Sequence, residues 1–136
     1  MHEYAYFMPK EHDKWIPLKK KIDGFDNDAL FHEQEIWWCF LGVNVGHEQD
    51  GKGDDFRRPV LIVRKFSRSL CLVIPLTTAV AEKPHRLHVM FGKRIGQVLL
   101  SQIRIIDEKR LLSKMGWLSP FQFSEIKKTL MKLLFP

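Results

Sequence analysis

The sequence has only two cysteines, Cys39 and Cys71, and both sit inside apolar, strand-like runs. That excludes a disulfide framework as the source of stability. Buried free thiols of a cytosolic chain are the plain reading, and a single bridge between the two stays open. Also lacking is any apolar run near the ~20 residues that a membrane-spanning helix needs. The opening "MHEYAYFMPKEHDKW" mixes charge with aromatics and has no hydrophobic h-region, so a secretory signal is not expected and the expected location is the cytoplasm. No internal repeat and no low-complexity stretch interrupts the chain. Acidic residues are outnumbered, 16 Asp+Glu against 22 Lys+Arg, for a net charge of +6. Such a field suits nucleic acid, acidic lipid or an acidic protein without choosing among them.

Motifs for metal or nucleotide are missing as well. His32-Glu33 and His47-Glu48 each begin like a zinc-protease motif, but neither has the second histidine four residues on. The six histidines are scattered and the cysteines lie in strands, so neither a metal site nor a cofactor is expected. "DGKGDD" lacks the spacing of a phosphate-binding loop and its Ser/Thr, and reads as a solvated flexible loop. No Ser-His-Asp arrangement stands out. Ser101 and Thr77 are the best-placed hydroxyls, each at a strand end, where such a group usually satisfies local backbone.

What is present is material for one compact domain. With 136 residues, 45% hydrophobic and 12% aromatic, the chain can bury a real core. Residues 1–34 form a preamble in which Trp15, Leu18 and Ile22 recur at helical spacing, with Lys19, Lys20 and Lys21 on the wet side. Pro17 is tolerable only if it falls near that helix's first turn, and "DGFDND" should end it. From Glu35 the texture turns to β. "EIWWCFLG" stops at a glycine, "RPVLIVRKF" and "SLCLVIPL" read as an antiparallel pair about Ser67-Arg68-Ser69, and Pro59 can open the first of these. "RLHVMF" and "QVLLSQIRIID" follow, separated by "GKRIG", and "MGWLS" adds a last short strand. Ser119 as N-cap, Pro120 at the first position and Gln122 completing a capping box predict a closing helix, lined by Phe123, Ile126, Leu130, Leu133 and Leu134. Short strands with one closing helix and no βαβ alternation indicate a small barrel or half-open antiparallel sheet.

One constellation carries chemistry without a cofactor. "GHEQDGKGDDFRRPV" crowds carboxylate, amide and guanidinium groups at the entrance of an apolar strand. Glu48, Gln49, Arg58, Thr77, Gln102 and Arg104 all fall at or near strand ends. Pro59 fixes the backbone beside Arg58, so that side chain projects from a defined place. On composition alone both arginines, Arg58 and Arg104, read rather as surface charges.

These blocks, "EIWWCFLGVNVGHEQDGKGDDFRRPVLIV", "VIPLTT" and "VLLSQIRIIDEKRLLSKMG" followed by a C-terminal helix, resemble the MazF/PemK family of toxin endoribonucleases over roughly Glu35 to Leu134. The resemblance implies a mainly β fold with helices, a small SH3-like β-barrel shared with CcdB-like toxins, here at 35–136 behind a helical extension at 1–34. It implies a homodimer that cuts single-stranded RNA, usually mRNA at short sequences, without metal, and that a cognate antitoxin protein silences. By matching motif the catalytic pair falls on Arg58 and Thr77, neither assigned to the core, with Glu48 as the loop carboxylate and candidate base. Gln49, Gln102 and Arg104, with Lys52 in the long loop, would bind RNA. The 2′-hydroxyl would attack its own phosphate, leaving a 2′,3′-cyclic phosphate and a 5′-hydroxyl, while Arg58 meets the growing phosphoryl charge. Trp37, Trp38 or Phe56 could stack on bases, though the strand setting of the tryptophans favours core packing for them. The chain departs from the family in a longer loop after Gln49, in Ser101 where many relatives are acidic, and in the preamble. A topoisomerase-poisoning CcdB-like toxin fits less well, since that action depends on a C-terminal Trp-Gly-Ile and this sequence ends "KLLFP". A non-catalytic SH3-like binding protein would have no use for Arg58 beside Thr77.

Overall fold

The computed structural model describes residues 10–26, 29–53 and 55–136. Helix α1 spans His12–Asp23 and buries Trp15 and Ile22, while Lys19, Lys20 and Lys21 are exposed. Pro17 lies in the second turn, not the first. Its missing N–H removes the rung to Asp13, and that residue is exposed, so the orphaned carbonyl is open to solvent. The turn residues expected to end α1 are described as far as Asp26; Asn27, Asp28 and, in the later loop, Asp54 lie outside the described residues.

Seven antiparallel strands follow: β1 Glu35–Phe40, β2 Arg57–Lys65, β3 Leu70–Thr77, β4 Arg86–Phe91, β5 Arg94–Leu99, β6 Arg104–Asp107 and β7 Leu111–Trp117. Their order is β4-β5-β3-β2-β1-β7, with β6 also pairing to β3, and the sheet curls into a half-barrel. The β2–β3 hairpin turns where Ser67 Oγ accepts from the amides of Ser69 and Leu70. Pro59 stands one residue before Val60, the first to pair with β3, so its lack of a donor costs that ladder nothing.

The run "QVLLSQIRIID" is not one strand. It breaks at a 3₁₀ turn, Leu100–Gln102, because its halves pair with different parts of β3. Thr77 and Leu76 face Gln97 and Val98, whereas Leu70 to Val73 face Asp107 to Arg104. The three residues of the turn take up the difference between these registers. The last strand is longer than "MGWLS", because β1 pairs with it from Glu35 to Cys39 across two bulges.

Helix α2, Pro120–Leu134, starts as expected, with Ser119 Oγ accepting from the amide of Gln122. The side chain of Gln122 brackets the amide and carbonyl of Met90 instead of closing a capping box, fastening α2 to β4. Phe123, Ile126 and Leu130 are buried against Ile36, Leu61, Ile74 and Val98, and Leu133 packs beside them, but Leu134 is exposed. A second apolar layer gathers Phe31, Trp37, Val60, Ile62, Val73 and Ile106, and a third joins α1 to Phe40, Val43 and Phe56. Cys39 and Cys71 are buried free thiols, and burial pushes each pKa up to about 12. Among the described residues no helix is long and apolar enough to cross a membrane.

Candidate functional site

Strand β2 opens with two arginines, and strand parity sends them to opposite faces. Arg57 is exposed, paired with Asp55 at 2.8 Å, and its guanidinium lies 5.5 Å from the centre of the Trp38 ring. Arg58 is only 5% exposed. It is neither a surface charge nor outside the core, contrary to expectation. Its Nε donates to the Asp50 carbonyl at 2.7 Å and its Nη1 to the Leu76 carbonyl at 3.1 Å. Those bonds tie the loop after β1 to the end of β3, and they satisfy a charge that burial would otherwise penalise. Burial is the largest influence on the Arg58 pKa and lowers it; the Asp50 charge offsets part of this and Arg86 adds to the lowering. A guanidinium remains a cation at neutral pH all the same.

Thr77 ends β3 at 7% exposure, and its Oγ1 accepts from the amide of Ala79 at 3.1 Å. Strand β5 comes close to it because Gly96 has no side chain: a Cβ there would stand 2.7 Å from the Thr77 carbonyl. Arg58, Thr77 and Lys52 share one cavity of about 890 Å³. Lys14, Arg57 and Arg94 add cations to its walls, and Trp38, Phe91 and Met115 add apolar surface. Lys52 is held there by a two-way backbone bridge with Arg57, at 2.7 and 2.9 Å.

The other expected residues gather in a second hollow. Glu48, Gln49, Gln102 and Arg104 line a recess of about 370 Å³ with Asn44 and Ser101. The Gln102 amide acts as a clip, its Oε1 accepting from the Gln49 amide at 3.1 Å and its Nε2 donating to the His47 carbonyl at 3.2 Å. The 3₁₀ turn that breaks the long strand is what delivers Gln102 to this loop. Glu48 is exposed, and its carboxylate accepts from the Val45 amide at 2.8 Å. One carbonyl links a residue of each hollow: that of Asp50 receives Arg58 Nε and, at 3.5 Å, the Gln49 side chain.

Of the three aromatics considered for stacking, only Trp38 reaches the cavity. Trp37 is buried with its Nε1 donating to Glu35 at 3.0 Å, and Phe56 packs edge-on against Trp15. Sequence reasoning passed over Gln97, which is 2% exposed and bonds through both amide atoms to the backbone of Ala81 while accepting from Arg86 at 3.1 Å. It anchors the loop that leaves Thr77. A lone amide ahead of "VLL" was the available signal, since a buried polar group implies partners. Lys14, Arg57 and Arg94 were also passed over, because exposed cations carry no pattern of their own. Among the described residues no three His, Cys, Asp or Glu side chains stand together as a metal site.

Residues 32–134 match the model of a family described as the PemK-like, MazF-like toxin of type II toxin-antitoxin systems. The fold is similar to that of MazF from Deinococcus radiodurans, with a TM-score of 0.65 and 22% identity over 79% of this chain and 98% of that one. It is similar to a MazE-MazF structure from the same organism, at 0.60 and 19% over 79% and 98%. An endoribonuclease in complex with its cognate antitoxin from Mycobacterial species aligns at 0.55 and 20%, over 76% and 95%. Likeness at such identity is a likeness of fold. Among proteins of curated function none matches the sequence.

Proposed function

We propose that this chain, which belongs to the PemK-like, MazF-like toxin family of type II toxin-antitoxin systems, is a sequence-selective, metal-independent endoribonuclease acting on single-stranded mRNA. The observation that carries the reading is the Arg58 corner: a buried guanidinium, fixed by two carbonyls, beside Thr77 in a cation-lined cavity. A guanidinium has five N–H donors, and the two carbonyls leave the rest for phosphoryl oxygens. Held in advance and shielded from water, those donors stabilise charge that develops only in the transition state.

In this mechanism the RNA supplies the nucleophile. A bond forms from the 2′-oxygen to the adjacent phosphorus and the bond to the 5′-oxygen breaks, giving a 2′,3′-cyclic phosphate and a 5′-hydroxyl. The 2′-hydroxyl proton passes to a base, for which Glu48 is our candidate, and a proton from solvent reaches the departing 5′-oxygen. Glu48 stands two residues from Asp50, whose carbonyl receives Arg58, so a strand bound across both hollows would bring its sugar past this carboxylate. Gln49, Gln102 and Arg104 in the recess and Lys52 in the cavity would hold the strand, with bases stacking on Trp38.

The toxin acts in the cytoplasm, where cutting mRNA stops translation and growth until a cognate antitoxin covers the site, as the complexes named above suggest. The active form is a homodimer. Its support is apolar surface left bare on one subunit, with Trp117 65% and Phe121 74% exposed. Incubation of the purified protein with single-stranded RNA of varied sequence in excess chelator tests the activity. Cyclic-phosphate ends are expected; cleavage that needs added metal refutes the mechanism, and intact RNA throughout favours a non-catalytic binding protein.

A further inference from the structure

The family match begins at residue 32, yet α1 lies before it and is built into the cavity of Arg58 and Thr77. Trp15 sits where a side chain on Gly42 would be, since a Cβ there would meet its ring at 2.2 Å. The same ring packs against Phe56, 5.8 Å between centres. Gly42 and Phe56 are the two ends of the long loop, so one tryptophan holds both. Lys10 holds the middle: its Nζ donates to the Asn44 carbonyl at 2.8 Å and pairs with the Asp50 carboxylate at 3.0 Å. Asp50 is also the residue whose carbonyl receives Arg58. Lys10 and α1 are therefore one unit with the lengthened loop.

That unit presents a defined face. Lys14 and Leu18, one helical turn apart, both line the cavity. A cation beside an apolar side chain matches the phosphate and base of one nucleotide. The present partner of Lys14 is Glu11 at 3.2 Å, and with side chains 74% and 62% exposed this pair is weak enough for a phosphate to replace.

We propose that α1 is an RNA-binding wall of the cleft, in which Lys14 contacts a backbone phosphate and Lys10 is a positioning residue that acts on Arg58 through Asp50. The inference rests on the RNA-cleaving function above. Its test uses the full chain and a single-stranded oligonucleotide with 2′-O-methyl sugars, which binds without being cut, followed by fluorescence anisotropy over a range of salt. Lys14→Glu should weaken binding about tenfold and flatten the slope of log K against log salt by about 0.7, one phosphate contact on a single strand. Lys19→Glu makes the same charge change at a lysine outside this cavity, and should bind within about twofold of the parent. Equal effects of the two substitutions would overturn the wall while leaving the RNA reading intact. A parental protein that neither binds nor cuts any single-stranded RNA would overturn that reading, and the wall with it. Lys10→Met should lower kcat severalfold with little change in KM, and speed hydrogen exchange of the loop amides between residues 42 and 56. Unchanged kcat and exchange would refute the positioning role.

Discussion

Arg58 and Arg110 offer a comparison within one molecule. Both side chains donate to main-chain carbonyls, and for both burial is the first cause of a lowered pKa. Arg110 gives its Nη1 to the consecutive carbonyls of Phe40 and Leu41, at 3.0 and 3.4 Å, and stands 5.8 Å from the centre of the Trp15 ring. Its charge fastens α1 to the end of β1. Arg58 instead joins a loop to a strand end, at residues far apart in the chain, and does so beside a hydroxyl in a basic hollow. Burial of a guanidinium is therefore no mark of function by itself. Which elements its acceptors belong to, and what shares its cavity, distinguish a fastening from a site.

The largest test of that distinction is Arg58→Ala. Single-turnover cleavage should fall by on the order of 10²–10³, the usual loss for one preorganised donor to a developing oxyanion. The same change removes the bonds from Arg58 to the Asp50 and Leu76 carbonyls, so stability should also drop, by about 1–3 kcal/mol. Circular dichroism on the assayed sample separates the effects, and Arg58→Lys should not restore the rate, because an ammonium lacks the planar fork. Next in size, Arg110→Ala should lower stability by a similar ~1–3 kcal/mol in urea titration. Its folded fraction should still cut RNA within a few-fold of the parental rate; a hundredfold loss there would erase the contrast. The smallest effect belongs to Glu35, away from both arginines. Burial alone would raise its pKa, but bonds from Trp37, the His32 amide and Lys114 outweigh this and hold it below its ordinary 4.5. A depressed folded pKa means stability that is complete above 4.5 and lost as pH falls through the folded value. The urea midpoint should fall over that acid range, and less steeply in Glu35→Gln.

Much of the architecture was legible because it is written locally. Alternation and β-branched runs gave the strands, and Ser119-Pro120 gave the start of α2. What escaped depends on partners distant in the chain. "QVLLSQIRIID" reads as one apolar, strand-like run, and nothing local says that β3 will take its halves in different registers. Pro17 sits inside α1 because Trp15 and Ile22, on either side of it, are fixed by the third apolar layer. The site was legible as a set of residue types and not as a geometry. Arg57 and Arg58 are chemically identical neighbours, and only strand parity decides which one turns inward. Glu48 and Gln102 read as companions of Arg58, yet the clip between Gln102 and the loop draws them into a separate recess.

Strand β3 has a consequence for synthesis. Its first edge is filled by β2, its neighbour in the chain, but its second edge is shared between β5 and β6, which come well after it. A chain growing from the ribosome can close the β2–β3 hairpin early, whereas the strand end that carries Thr77 waits for Gln97 and the rest of that edge waits for Asp107. Non-local pairing of this kind is slow, since loop closure precedes any reward. Arg58 can thus meet Leu76 before the frame around Thr77 is complete, because that frame needs β5 and β6. Strand order alone makes the cavity one of the last features of the fold to be completed.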